Sequence, residues 1–257
     1  MRVTFLGTGT SHGVPMIGCE CATCRSTDPR DRRLRPSILV EADDGTVVLV
    51  DAGPDLRSQA IAHGVRRIDA IVFTHGHADH ILGLDEVRRY NALQKRVIPA
   101  FGDAGTLRDI RRMFGYVFDP ATAGGGGVPQ VETFAIAGPF CLGRQEVVPV
   151  PIMHGRREIL GLRFGRFAYL TDCSAIPDAS YPLLAELDVL VIDALRERPH
   201  PTHFSLAEAV EATRRIAPAR AYFTHMCHDL PHQATCERLP PNMELAYDGL
   251  VLTVAGS

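Results

Sequence analysis

One stretch of the sequence, residues 74–80, reads Thr-His-Gly-His-Ala-Asp-His and places three histidines and an aspartate within six residues. It continues Asp69–Thr74, a short apolar run with β-branched residues, which predicts a buried strand. In an extended backbone His75 and His77 point to the same side. We expect Asp79 and His80 in the following turn of helix, where they approach from another direction. One segment can therefore offer ligands to two metal ions, and imidazole and carboxylate suit zinc, manganese or iron.

The second half of the chain supplies further ligand types at the ends of predicted strands. His154 follows a strand through Val150, Asp172 follows Phe167–Thr171, and His225 follows Arg220–Thr224. A single histidine at a strand end is more often structural or solvated. Together, these three residues predict that a second set of ligands meets the first at one edge of the fold.

The motif resembles the HxHxDH signature of the metallo-β-lactamase superfamily, and the later His, Asp and His stand in the order that this superfamily uses. The resemblance covers essentially the whole chain. It implies two divalent ions, manganese or zinc with iron as a further choice. One ion would be held by His75, His77 and His154. The other would be held by Asp79, His80 and His225, with Asp172 bridging the two.

Such a metal pair lowers the pKa of a shared water, so the motif predicts hydrolysis by a bridging hydroxide. Asp79 is placed to orient that hydroxide as well as to ligate. The leaving oxygen then needs a proton from a general acid. In the segment His200-Pro201-Thr202-His203, the resemblance favours His203 as this acid, and His200 is the alternative.

A cysteine cluster near the N-terminus predicts a second metal site. Cys19, Cys21 and Cys24 lie too close together to staple a fold, and such clusters more often bind metal in a reducing compartment. Together with the segment Leu6-Gly7-Thr8-Gly9-Thr10-Ser11-His12-Gly13-Val14-Pro15, the cluster resembles the PhnP-type cyclic-phosphate phosphodiesterases. The resemblance implies a structural zinc whose fourth ligand is His228. By sequence alone, Cys227 is a competing ligand. Buried free thiols are expected at the other cysteines, Cys141, Cys173, Cys227 and Cys236.

Apolar runs and turn residues predict an α/β protein throughout. Strands are expected at Val3–Leu6, Ser37–Glu41, Val47–Asp51, Asp69–Thr74, Val97–Ala100, Val131–Ile136, Glu146–Val150, Leu160–Phe164, Phe167–Thr171, Asp188–Asp193, Arg220–Thr224 and Leu250–Val254. Helices are expected at Asp55–His63, Ala104–Phe114 and Ser205–Ile216, the last with Ser205 and Glu208 as a capping box. Strands followed by helices in both halves indicate an αββα sandwich. We predict a single domain over residues 1–257 with a zinc-binding loop at about 19–24. The tetraglycine Gly124–Gly127 is a flexible loop, either a mobile cover or a plain connection.

The charge and the apolar content of the chain limit the kinds of partner that it is expected to bind. The formal net charge is −3, which gives no global case for nucleic acid or an anionic membrane. No run of residues approaches a membrane span, and the N-terminus lacks the pattern of a signal peptide, so we expect a cytoplasmic protein. The local cluster Arg30, Arg32, Arg33 and Arg35 is interpreted as a solvated loop.

The combined patterns predict a metal-dependent phosphodiesterase acting on a small cyclic phosphate or a related phosphoester. A coenzyme PQQ synthesis protein B-like (PqqB-like) protein of cofactor biosynthesis and a ribonuclease Z-like endonuclease share the fold and remain alternatives. The second would need a basic arm for RNA. The resemblance also implies a homodimer. Four arginines next to motif positions could meet a phosphate, namely Arg156, Arg157, Arg196 and Arg198. Three histidines have no role beyond solvation or loop packing, namely His12, His63 and His232.

Overall fold

Two seven-stranded mixed sheets pack face to face in the computed structural model, which describes residues 1–119, 121 and 127–255. The order of strands in the first sheet is β14-β1-β2-β3-β4-β5-β6. Its strands are β1 (Arg2–Gly7), β2 (Ser37–Glu41), β3 (Val47–Val50), β4 (Ala70–Val72), β5 (Ile98–Gly102), β6 (Val131–Ala135) and β14 (Val251–Thr253). The predicted tetraglycine loop lies outside the described residues except for Gly127.

The second sheet repeats this design in the order β13-β12-β11-β10-β9-β8-β7. Its strands are β7 (Phe140–Leu142), β8 (Gln145–His154), β9 (Arg157–Phe164), β10 (Phe167–Leu170), β11 (Val189–Asp193), β12 (Arg220–Thr224) and β13 (Met243–Leu245). In each sheet one half is antiparallel and the other half, β3 to β6 or β10 to β13, is parallel. The carboxyl ends of parallel strands share one edge, where ligands bind in open α/β sheets.

Helices cover the two outer faces. They are α1 (Leu56–Ala62), α2 (Ala78–Ile81), α3 (Val87–Gln94), α4 (Ala104–Met113), α5 (Gly115–Phe118), α6 (Leu206–Ile216) and α7 (His232–Cys236), with 3₁₀ turns at Pro29–Asp31, Leu84–Glu86 and Asp178–Leu184. The capping box is confirmed, because Ser205 accepts from the Glu208 amide and the Glu208 side chain accepts from the Ser205 amide. This is the predicted αββα sandwich.

Three apolar clusters hold the layers together. The central cluster, with Phe5 and Val48 of the first sheet and Phe164 and Val191 of the second, fills the space between the sheets. A second cluster lies between the first sheet and its helices, and a third lies between the second sheet and α6. Strands buried on both faces explain why the sequence shows continuous apolar runs rather than alternation. Among the described residues, no helix is long and apolar enough to cross a membrane.

Two sequence interpretations were wrong. Arg33 is not part of a solvated loop: it is 1 % exposed and donates hydrogen bonds to the Cys227 and Leu230 carbonyls. Arg33 therefore ties the N-terminal cysteine loop to the segment after β12. Cys141 is exposed in β7 rather than buried, while Cys173 is buried as expected.

Candidate metal centre

The predicted active-site ligands gather at the carboxyl ends of the strands. His75 and His77 follow β4, and Asp79 and His80 lie in α2, which begins directly after His77. The remaining three come from the second sheet, where His154 ends β8, Asp172 follows β10 and His225 follows β12. The structure thus brings together all seven residues from both halves of the chain.

The ligand atoms form two groups. His75, His77 and His154 each place one ligand atom within 4.8 Å of the others. Asp79, His80, Asp172 and His225 form a second group under the same limit. Asp172 lies between the two groups, because its Oδ1 is 3.9 Å from His75 Nε2 and 3.2 Å from His225 Nε2. The predicted ligands therefore lie in two clusters, and Asp172 lies near a histidine nitrogen of each.

The chemistry of these side chains fits metal ions. The Nε2 atoms of His75, His80 and His225 are buried and have no hydrogen-bond partner among the described residues. His80 Nε2 is 3.1 Å from Asp172 Oδ2 and 3.5 Å from Asp79 Oδ2, yet without hydrogen-bond geometry. Buried polar atoms normally have partners, so a set of buried nitrogens that lack hydrogen bonds and face carboxylates fits metal coordination.

The carboxylates of the centre are ionised. Burial alone would raise the pKa of Asp172, but His225, His80 and His75 outweigh burial and hold the pKa well below its usual range. Burial also opposes ionisation of Asp79, and there the neighbouring His80 and His225 lower the pKa. Both groups are therefore anionic at neutral pH, as metal ligands must be.

Asp51 was not predicted as part of the site, but it holds one of the ligands in place. It follows β3, is fully buried, and its Oδ2 lies 2.8 Å from His80 Nδ1. It also accepts hydrogen bonds from the Thr74 amide and hydroxyl. Carboxylates of this kind fix the orientation of a ligating imidazole and raise its basicity.

His203 lies beside the metal ligands and has its own carboxylate partner. Its Nδ1 is 2.7 Å from Asp193 Oδ2 at the end of β11, and its ring stacks on His225 at 4.7 Å between centroids. This contact engages Nδ1 and leaves Nε2 as the remaining ring nitrogen, and His203 offers a ligand atom within 4.8 Å of those of His154 and Asp172. Burial, followed by the charge of His225, lowers the pKa of His203 to about 3, and burial raises the pKa of Asp193 well above its usual range. Burial therefore favours the uncharged forms of both members of this pair.

His200 is the weaker of the two predicted acids. Its Nδ1 accepts a hydrogen bond from the Thr202 amide at 3.3 Å, and its ring centroid lies 5.2 Å from that of His203. It belongs to neither group of metal ligands, and among the described residues it has no carboxylate partner. The geometry therefore favours His203.

The cysteine cluster meets His228. His228 Nδ1 lies 3.2 Å from Cys19 Sγ, 3.5 Å from Cys21 Sγ and 3.4 Å from Cys24 Sγ. A tetrahedral zinc with ordinary bond lengths places sulfur and nitrogen about 3.5 Å apart. Cys227 is not in this group, and its Sγ accepts instead from the Asp229 amide. The residues therefore fit a closed Cys3His zinc site, with His228 rather than Cys227 as the fourth ligand.

The four arginines next to the motifs have different surroundings. Arg157 lies 3.3 Å from Asp109 and is paired, whereas Arg156 is exposed. Arg196 and Arg198 line a cavity of about 280 Å³ that adjoins His203. His12, for which no role was predicted, lines the same cavity, whereas His232 is buried against Tyr247. A larger groove of about 420 Å³ lies between α1 and α3 and contains no metal-ligand residue.

Comparison with known proteins places this geometry in a family. The family model for the beta-lactamase superfamily domain matches residues 46–226. The crystal structure of a diphosphatase from the PhnP family superposes with a TM-score of 0.92 at 46 % identity, covering 99 % of this chain and 98 % of that one. The chain belongs to the PhnP family of the metallo-β-lactamase superfamily.

Two relatives of this PhnP-family chain carry other names. An octanoyltransferase of Porphyromonas gingivalis is 37 % identical over 97 % of the chain, which spans only about half, 51 %, of that protein. A coenzyme PQQ synthesis protein B of Xanthomonas axonopodis is 28 % identical, covering 75 % of the chain and 72 % of that protein. Names within the superfamily therefore differ although the fold is shared, so function must be argued from the site.

Proposed function

We propose that the chain is a dinuclear metal-dependent phosphodiesterase that hydrolyses a small phosphoester, with a cyclic phosphate as the preferred form. The observation that carries the proposal is the pair of ligand groups joined by Asp172. The similarity to a PhnP-family diphosphatase supports phosphoester chemistry over the other reactions of the fold. The ions would be held by His75, His77, His154, Asp79, His80, His225 and Asp172.

Different side chains at the centre would have different roles in hydrolysis. Divalent ions at such a site supply charge stabilisation for the phosphoryl oxygens and a hydroxide nucleophile near neutral pH. Asp79 would hold an ion through one carboxylate oxygen, and its second oxygen could accept a hydrogen bond from a water at the centre. Asp51 keeps the His80 ring from turning, because it holds Nδ1 at 2.8 Å. All of the proposed ligands except His77 are buried, so their contacts act in a medium where charges interact strongly.

His203 is the general acid of this proposal. Its Nε2 is directed to the cleft because Asp193 holds Nδ1, and its ring contacts both His225 and His154 at 4.7 Å between centroids. A proton delivered from Nε2 to the leaving oxygen can be replaced at Nδ1 from Asp193. Asp193 is thus a positioning residue, and His203 is the residue that meets the substrate.

Leaving-group dependence tests the role of His203. A p-nitrophenolate leaves readily without a proton, whereas an alkoxide does not. In His203→Gln we expect turnover of an alkyl-leaving diester to fall by about 10²–10⁴-fold, the usual range for general acid catalysis. Turnover of bis(p-nitrophenyl) phosphate should fall far less. Both rates are measured on protein with its metal content verified.

His200→Gln is the matched control and should lower the two rates by similar, small factors. Equal losses on the two substrates in His203→Gln would show that the residue is structural. Absence of any phosphodiester turnover in metal-loaded wild type would overturn the proposed function itself.

The RNA alternative loses its main sequence support in the structure. Of the arginine cluster, Arg33 is buried, Arg30 is paired with Asp28, and Arg35 is paired with Asp55. With three of its four arginines buried or paired and Arg32 alone exposed, this cluster is not a basic arm that could meet an RNA backbone. The PqqB-like alternative keeps the support of the 28 % identical relative, and it predicts intact metal binding without phosphodiester turnover.

A further inference from the structure

Gly76 separates the ligands His75 and His77 and lies directly against Asp109. A Cβ on Gly76 would lie 2.8 Å from Asp109 Oδ2, which is too close for a real side chain. Glycine is therefore required at this position, because the Asp109 side chain already occupies the space. Asp109 thus rests on the stretch of backbone that carries two of the three histidines of one ligand group.

Asp109 belongs to α4, which is firmly attached to the first sheet. Asp103 caps this helix, and its carboxylate accepts from the Gly105 amide at 2.7 Å. Leu107 and Ile110 are buried in the apolar cluster between the first sheet and its helices. The helix is therefore a fixed support, and the Asp109 carboxylate has a defined place beside the motif.

The partner of Asp109 comes from the other half of the chain. Arg157 Nη2 donates to Asp109 Oδ2 at 3.3 Å. Arg157 begins β9 and pairs with His154 across the turn between β8 and β9. The guanidinium therefore links the hairpin that carries His154, the third histidine of the group, to the helix that packs on Gly76.

The same turn is fixed to its own half of the chain by other contacts. The Gly155 amide donates to the Ser174 hydroxyl at 2.9 Å, and this hydroxyl donates to the Met153 carbonyl at 3.0 Å. A Cβ on Gly155 would lie 2.9 Å from Thr202 Cγ2, so the turn also packs against the loop that precedes His203. With the turn fixed on that side, the ion pair spans the gap to the first half.

We propose that Asp109 and Arg157 are positioning residues that set the spacing of the group formed by His75, His77 and His154. The ring centroid of His154 lies 5.5 Å from that of His75 and 5.0 Å from that of His77. The pair maintains this spacing through the backbone of the motif and through the turn, and so tunes the affinity for one of the two ions. The proposal rests on the metal centre of the proposed function.

The exposure of the pair limits its effect on folding. The side chains of Arg157 and Asp109 are 38 % and 36 % exposed, and ion pairs at such positions add little to stability. The Leu160 amide donates to the Thr74 carbonyl at 3.2 Å, which is a second contact between the two halves and does not involve the pair. We therefore expect variants of the pair to fold normally and to differ in metal binding.

The test is the stepwise removal of cobalt(II) from the cobalt-loaded protein by a chelating dye. Arg157→Gln and Asp109→Asn should each lower one binding constant by about threefold to tenfold, less than the loss of a carboxylate that contacts a ligand directly. The double variant should lose about as much as either single variant, because the two residues act as one unit. Arg157→Lys should keep much of the affinity.

Reference variants identify the ion that is affected. His77→Ala removes a ligand of the three-histidine group, so the constant that it abolishes should be the one lowered in Arg157→Gln. The constant of the Cys3His site, recognised by its thiolate-to-cobalt absorption, should stay the same in both. Arg166→Gln breaks an ion pair of similar exposure, 45 % and 31 %, in the turn between β9 and β10, and should leave every constant unchanged.

The outcomes separate this proposal from the function on which it rests. Wild-type constants in Arg157→Gln and Asp109→Asn would overturn the positioning role while leaving the metal centre in place. An equal loss at every site would also overturn it, since a general loosening of the fold has that effect. Additive losses in the double variant would show that the two residues do not act together. A wild type that binds only the Cys3His ion would instead overturn the metal centre and the proposed function.

Discussion

At the scale of single residues, the centre depends on backbone conformations that ordinary side chains avoid. Asp51, Asp172 and His225 have φ values of 61°, 58° and 60°. Each of them lies just beyond the end of a strand, and none is a glycine. A non-glycine residue in this region costs about 1–3 kcal/mol, and such residues cluster at functional sites. The fold therefore tolerates strain where it turns these side chains toward the candidate metal centre.

The ligands themselves could be predicted from the sequence, but their carboxylate partners could not. Residues 74–80 carry a recognisable motif, and the strand-terminal positions of His154, Asp172 and His225 extend it. Asp51 and Asp193 also lie at strand ends, so their positions in the sequence are of the same kind as those of the ligands. Nothing in the sequence showed that Asp51 faces His80 or that Asp193 faces His203, because those contacts join strands far apart in the chain.

Asp51→Asn is expected to weaken metal binding without unfolding the protein. The amide is nearly isosteric, but its NH2 group replaces one oxygen. It therefore cannot accept from the Thr74 amide on one side while accepting from His80 and the Thr74 hydroxyl on the other. Loss of such a partner typically lowers metal affinity by about 10–100-fold. The measurement is competitive metal titration against a chelating dye.

Asp188→Asn is the matched control, because Asp188 forms an ion pair with the half-exposed Arg166 far from the centre. Its metal affinity should match that of wild type. An unchanged affinity in Asp51→Asn would mean that the Asp51–His80 contact does not orient the ligand.

At the scale of elements, the sequence predicted the bounds of strands in long apolar runs well, but it did not predict the irregular elements. β2 and β12 have the predicted bounds, since buried parallel or central strands show as uninterrupted apolar segments. β8 runs to His154, four residues past its predicted end at Val150, although it includes Pro149 and Pro151. β7 pairs only with Gln145–Val147, and beyond it this edge of β8 has a bridge from Met153 to Ala175 alone among the described residues. An edge with so little pairing tolerates Pro149 and Pro151. Short elements such as α3 and β13 gave no clear pattern and were missed.

Helix α2 packs so closely against the loop after β3 that a methyl group on Gly53 would displace the helix. The Ala52 amide donates to the His80 carbonyl at 2.7 Å, and a Cβ on Gly53 would lie 2.1 Å from the Asp79 carbonyl oxygen. Gly53→Ala should therefore move Asp79 and His80 together. We expect loss of about one metal ion per chain from the pair and a destabilisation of about 1–3 kcal/mol, as in overpacked cores.

Gly115→Ala, whose Cβ would meet nothing within 4 Å, should leave both properties unchanged. Metal content by elemental analysis and urea unfolding are the two measurements. Wild-type metal content in Gly53→Ala would contradict the close coupling of this loop to α2.

At the scale of the whole molecule, the site forms only when the two sheets pack together. One sheet brings Asp51 and the motif, and the other brings His154, Asp172, Asp193 and His225. The cysteine loop also meets His228 beyond β12, so both candidate metal sites join the N-terminal and C-terminal halves of the chain. The sandwich was predictable from alternating strands and helices, whereas the pairing of β14 with β1 across the whole chain was not.

The buried His232 makes stability depend on pH. Burial, with the charges of Arg30 and Arg33, lowers the pKa of His232 to about 4, below its unfolded value of 6.5. Protonation therefore favours the unfolded chain. This contribution to stability is full above about pH 6.5 and is lost as the pH falls toward 4, by up to about 3 kcal/mol.

His232→Gln should flatten the pH dependence of unfolding between pH 6.5 and 4 relative to wild type. Urea unfolding at a series of pH values measures this difference. His12→Gln changes an exposed histidine and should follow the wild-type curve. Parallel curves for wild type and His232→Gln would show that His232 titrates normally in the folded protein.

Metal stoichiometry measured together with turnover tests the central claim most directly. Elemental analysis of wild type, Cys21→Ser and Asp172→Asn should give about three, two and one metal ions per chain, from a closed zinc site and a bridged pair. Bis(p-nitrophenyl) phosphate should be hydrolysed by wild type and not by Asp172→Asn. A wild type with a single metal ion, or an Asp172→Asn variant that keeps both its metals and its turnover, would contradict a dinuclear centre bridged by Asp172.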